Sequence, residues 1–155
     1  MNALDSRARR WFLAALFALG CTTATAEPID RKLLGEPAHK VVYQLNKADA
    51  DYINGILFSA GEMLRRYGDD IQIVITVIGP GIHLLAKQPQ RPIPAEARAR
   101  AASLAAYGVE FHACGNTLKS LHWSATDVLD YATVVDVGAD DLMRLQEQGY
   151  AYISW

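Results

Sequence analysis

Ile71-Gln72-Ile73-Val74-Ile75-Thr76-Val77-Ile78 is the stretch on which the fold turns. It is β-branched and apolar almost throughout, as a strand covered on both faces in the middle of a parallel sheet must be. Parallel neighbours cannot be joined by a tight hairpin and need crossover helices, so the flanking segments should be helical. Upstream, residues 48–67 place Ile53, Ile56, Leu57, Ala60, Leu64 and Tyr67 at helical spacing, with Gly68 as the stop. Residues 39–45 read as a first strand. Downstream, Gly79-Pro80-Gly81 breaks the strand, residues 82–87 suit one helical turn, and the three prolines of 88–94 make a loop. Residues 95–107 are alanine-rich and helical, with Gly108 as their stop. Strands are predicted at 109–113, 131–137 and 150–155, a short helix at 117–121, a cap at Ser124-x-x-Asp127 and a helix at 139–148 ending at Gly149. Strands alternating with helices predict an α/β domain with a parallel sheet and helices on both faces. The pattern does not disclose strand order.

Residues 1–26 have the features of a signal peptide. Arg7, Arg9 and Arg10 precede the apolar run 11–20, and Ala24-Thr25-Ala26 follows as a cleavage pattern. Arg9-Arg10-Trp11-Phe12-Leu13 fits a twin-arginine export signal, and Cys21 could be a lipidated residue in competition with that cleavage. A periplasmic location is expected, followed by an extended arm over 27–38. The apolar run is too short for a spanning helix, so no stable membrane insertion is expected. Taking Arg7, Arg9, Arg10 and Asp5 from the 15 basic and 17 acidic residues leaves a net charge of −4. That balance, without a basic tract, argues against nucleic acid as a partner.

Beyond the leader, Cys114 is the one cysteine, so no internal disulfide can form. In open parallel sheets ligands bind beyond the carboxyl ends of the strands. Those ends are Asn46-Lys47, Gly79-Pro80-Gly81, Cys114-Gly115-Asn116 and Gly138. Asn46, Gly79, Gly81, Gly115 and Asn116 are therefore candidate ligand-binding residues around Cys114. A thiol just before a helix should hold more thiolate, the nucleophilic form, although most free cysteines simply fill a core. Gly115 would leave room for a second molecule or merely serve the turn, and Asn116 would bind a ligand or cap the short helix. His112, two residues before Cys114, could face the same side and act as its base, or be an ordinary hydrogen-bonded histidine. Lys87, Arg91 and Lys119 could form an anion-friendly rim or a solvated surface. Asp136, Asp140 and Asp141 read as helix-start aspartates. The histidines His39, His83, His112 and His122 lack zinc-site spacing, and no dinucleotide fingerprint, P-loop or serine elbow is present. No metal and no cofactor is expected; a flavin would be suggested by the layered fold alone.

Lys40-Val41-Val42-Tyr43-Gln44-Leu45-Asn46, Ile78-Gly79-Pro80-Gly81-Ile82-His83-Leu84-Leu85, Gly108-Val109-Glu110-Phe111-His112-Ala113-Cys114-Gly115-Asn116-Thr117-Leu118 and Leu145-Gln146-Glu147-Gln148-Gly149-Tyr150-Ala151-Tyr152-Ile153 together resemble the DsrE/DsrF-like family, in an exported, single-cysteine form. The resemblance runs from residue 39 to 155. It implies a three-layer α/β/α domain with a five-stranded parallel sheet, assembled as a homo-oligomer. It also implies sulfur relay, in which Cys114 would carry sulfane sulfur as a persulfide between a donor and an acceptor protein, a sulfurtransferase-like activity. The alternative is a non-catalytic module that binds a small ligand or partner with Cys114 buried. One departure is that Ile78 stands before Gly79, where many relatives have a histidine.

Overall fold

A computed structural model describes residues 35–155. The expected signal peptide with its export motifs, Cys21, and the expected arm up to residue 34 lie outside the described residues. The chain forms β1 (His39–Leu45), α1 (Ala50–Tyr67), β2 (Ile71–Val77), α2 (Ala95–Ala106), β3 (Glu110–Cys114), α3 (Gly115–Ser120), β4 (Ala132–Val135), α4 (Gly138–Glu147) and β5 (Ala151–Ile153). All four strand pairings are parallel and the sheet order is β4-β3-β2-β1-β5. The expected three-layer domain with a five-stranded parallel sheet is thus observed.

The order explains the layering. From β1 to β4 the chain steps across the sheet in one direction, and right-handed crossovers put all their helices on one face. The step from β4 back to β5 reverses direction and carries α4 to the other face. Each face accordingly has its own core. On the first, Val41, Tyr43, Leu45, Ile73, Ile75, Val77 and Phe111 meet Ile53, Ile56 and Leu57 of α1, Ala97 and Ala101 of α2 and Leu118 of α3. On the second, Val42 and Val74 meet Leu142 and Leu145 of α4 and Tyr150, with Ile78 packed against them. The second core is small because polar side chains share the sheet surface with α4; Gln72 Nε2, for instance, donates to Glu110 Oε1 at 3.0 Å.

Local chemistry explains the element ends. Asp49 caps α1 by accepting the Tyr52 N–H at 2.9 Å. Ser124 and Asp127 close a reciprocal capping box on a 3-10 turn, Ala125–Asp127. Several expectations are corrected. The turn expected at 82–87 is a 3-10 helix starting directly after β2, Gly79–Leu84, since Pro80 fits the first turn of a helix. Strand β4 is four residues long and β5 three, shorter than the apolar patterns suggested. Cys114 closes β3 by pairing with Val135, and α3 starts immediately after it.

Candidate functional site

Connections after neighbouring strands part to opposite faces at one place, between β3 and β4. There the chain leaves β3 into α3 on one side and leaves β4 into α4 on the other. Parallel sheets place their ligand crevices at such switch points, and Cys114 sits in this one. Its side chain shares a side of the sheet with α4, and the Gly138 N–H at the start of α4 donates to Cys114 Sγ at 3.2 Å. Cys114 also occupies the cap position of α3. The Cys114 side chain makes no capping bond to α3, and Thr117 Oγ1 beside it accepts the Gly79 N–H at 3.0 Å. The sulfur thus lies against the amino ends of two helices at once.

These contacts set the thiol's acidity. Burial, with Cys114 only 4% exposed, pushes its pKa up. The polar hydrogens of Thr117, Gly138 and Asn116 around the sulfur more than offset that, and the pKa falls below the ordinary thiol value. A stabilised thiolate is a competent nucleophile toward sulfur.

Gly115 is buried, and a Cβ there would lie 2.9 Å from the Val135 carbonyl oxygen and 3.1 Å from that of Asp136. Its lack of a side chain lets the β3–α3 turn press onto the end of β4, where the Asn116 N–H donates to the Asp136 carbonyl at 3.1 Å. The room expected for a second molecule beside the thiol is therefore filled by backbone. Asn116 is exposed and lies inside α3, so it does not cap the helix; Cys114 holds the cap position, without a capping bond from its side chain. Gly81 is likewise buried: a Cβ would fall 2.5 Å from both Leu45 O and Leu45 Cδ2. It is a packing contact between β1 and the 3-10 helix, not a surface for a ligand.

His112 does share a side with Cys114, but its ring is occupied elsewhere. Nδ1 lies 3.0 and 2.9 Å from the two carboxylate oxygens of Asp141 on α4, and Nε2 lies 3.6 Å from Glu110 Oε2. Burial works against its charge, yet the two carboxylates prevail and raise its pKa to about 9. It is an imidazolium at neutral pH and cannot take the thiol's proton. Asp141, expected to be only a helix-start residue, also accepts the Thr76 hydroxyl at 2.7 Å. Sequence reasoning missed Thr117, Thr76 and Asp141 as parts of this site. Their roles follow from strand adjacency, although Thr117 lies three residues from the cysteine on the same short helix.

A separate cleft of about 450 Å³ opens at the same sheet edge beside β1, lined by Asn46, Lys47, Asp49, Pro80, Arg91 and Pro92. Asn46 is therefore parted from Cys114, and Gly79 joins the two regions only through its bond to Thr117. Of the proposed cationic rim, Arg91 borders this cleft, Lys87 pairs with Asp130 at 2.8 Å, and Lys119 is exposed on α3. His83 is buried, accepts the Gln90 N–H at 3.2 Å and meets Trp123 edge-on. It braces the proline-rich loop and takes no part around the thiol. Among the described residues no group of three histidine, cysteine or acidic side chains could hold a metal ion, and no helix is long and apolar enough to cross a membrane.

Fold and site together define a doubly wound parallel α/β domain with a free, buried thiol at its switch point. A family model described as DsrE/DsrF-like matches residues 36–155. The chain belongs to the DsrE/DsrF-like family. Solved structures with the same fold include a protein of unknown function from Methanobacterium thermoautotrophicum, 22% identical with a TM-score of 0.68, covering 76% of this chain and 99% of its own. The ychN protein of E. coli is 11% identical with a TM-score of 0.64, covering 76% of this chain and 99% of its own. A conserved protein of unknown function from Bacteroides thetaiotaomicron is 16% identical with a TM-score of 0.59, covering 75% of this chain and 94% of its own. A search of curated proteins returned no match.

Proposed function

We propose that this protein is a sulfur carrier that holds sulfane sulfur on Cys114 as a persulfide, exported by its leader and working between a donor and an acceptor protein. The observation that carries the reading is the place of the free thiol: it stands at the switch point, at the cap position of α3, with its sulfur accepting the Gly138 N–H of α4 at 3.2 Å. In the loading step the Cys114 thiolate attacks the outer sulfur of a persulfide or of thiosulfate. A new S–S bond forms at Sγ, the donor's own bond to that sulfur breaks, and the donor leaves with the electron pair as a thiolate or sulfite. An acceptor thiolate then takes the outer sulfur, and Cys114 returns as thiolate with no net oxidation. The polar hydrogens that stabilise the thiolate before loading stabilise it again as the leaving group. Incubation with a sulfane-sulfur donor should add one sulfur atom to the intact mass, and Cys114→Ser should abolish the gain. Absence of an adduct with every donor tried would refute the assignment.

The 4% exposure of Cys114 supports a second reading, an oligomeric module that binds a small ligand or partner and keeps this thiol as packing. Under that reading a small thiol reagent labels Cys114 only in denaturant. Under the first, it labels the folded protein.

A further inference from the structure

The hydrogen bond to the sulfur comes from α4, and one polar side chain ties α4 to the strands beneath it. Asp141 stands three residues after Gly138, one turn into the helix. Its carboxylate reaches down to two strands, accepting from Thr76 on β2 at 2.7 Å and from His112 on β3 at 2.9 and 3.0 Å. Thr76 is fully buried, and the side chains of His112 and Asp141 are each 13% exposed. The main apolar contacts of α4 on this face come from Leu142 and Leu145, farther along the helix, while at its start Gly138 packs closely against Ile78 and the Cys114 Cβ. These contacts resist lifting of the helix and leave its rotation over the strands to the polar bonds of Asp141. The geometry points to Asp141 as a positioning residue for Cys114: clamped by Thr76 and His112, it holds the first turn of α4 where the Gly138 amide meets the sulfur. This rests on the reading of Cys114 as a working thiolate.

Charge and position are separated by the choice of variant. Losing the Asp141 carboxylate removes a negative charge and also the main partner that keeps His112 charged beside Glu110, so its charge effects on the thiol oppose each other, whereas Thr76→Val leaves every charge in place. Losing the clamp lets the Gly138 amide drift away, which raises the thiol's pKa. The measurement is the rate of iodoacetamide alkylation against pH on the full chain, read by mass spectrometry on the peptide containing Cys114. Folding of each variant is checked by circular dichroism. Asp141→Asn should move the midpoint up by roughly one unit, leaving about tenfold less thiolate at neutral pH, the size of one lost hydrogen bond to a charged group. Thr76→Val, which changes no charge, should move it the same way, and Thr76→Ser should restore the wild-type profile. A wild-type or lowered midpoint in folded Asp141→Asn and Thr76→Val would overturn the clamp. If Asp141→Asn does not fold, Thr76→Val decides by the same criterion. Alkylation does not need a persulfide, so failure of the sulfur-carrier reading shows separately, as a wild-type protein that gains no sulfur.

Discussion

Replacing His112 by glutamine removes the cation of the His112–Asp141 pair while leaving a side chain that can still hydrogen-bond. In the folded protein the Asp141 and Glu110 carboxylates overcome the burial penalty and hold the imidazole at about 9, against an ordinary value of 6.5. A folded-state pKa raised above the unfolded one contributes stability that is whole below about pH 6.5 and is lost as pH rises through about 9. At about 1.36 kcal/mol per unit the upward shift corresponds to ~3 kcal/mol, and screening by the solvent that reaches the pair brings the expectation to ~2 kcal/mol. Cys114 acts in the opposite sense. Its pKa is lowered, so its contribution is present above the ordinary thiol value and is lost as pH falls through the folded one. The wild-type stability profile mixes the two slopes, and the difference between wild type and His112→Gln isolates the histidine. Urea unfolding followed by circular dichroism from about pH 6 to about pH 10 should show a gap of ~2 kcal/mol at the acid end that closes toward the alkaline end. A gap that stays constant or widens with pH would refute the assignment of a protonated His112.

Two glycines should respond in opposite directions. Gly81→Ala drives a methyl into the Leu45 carbonyl at 2.5 Å, and since backbone cannot rotate away, we expect a loss of ~3 kcal/mol in denaturant unfolding whatever the fate of the thiol. Gly55→Ala lies in the interior of α1 with nothing within 4 Å of the new methyl, so it should stabilise by ~0.5–1 kcal/mol and raise Tm in a thermal melt.

Most of the fold was legible because single segments carry it. The helical spacing of Ile53, Ile56, Leu57 and Ala60 and the apolar run of β2 are local signals, and those residues form the core. The alternation of elements led to a parallel sheet for the same reason. What could not be read is whatever depends on which strands are neighbours. The order β4-β3-β2-β1-β5 brings Gly138 to a sulfur 24 residues away and Asp141 to a histidine 29 residues away, and no local pattern encodes such pairings. Glycines were ambiguous too. Gly81 and Gly115 sit at strand ends, where ligand approach and backbone crowding call for the same residue, and distances alone separate the two cases. Asn116 reads as a helix cap by residue type, but β3 runs one residue further than its apolar pattern suggests, which moves that position onto Cys114.

The group that bonds the Cys114 sulfur is a peptide N–H, that of Gly138. No substitution short of proline deletes such a donor, so truncating the side chains around this site leaves it in place. The same fact gives the lineage latitude. The exposed side chains of Asn116 and Lys119, and the loops on either side of the switch point, can change to suit new partners without touching the chemistry of the sulfur. That chemistry is inherited through the path of the chain, so descendants could exchange the molecules they serve while keeping the same reactive atom.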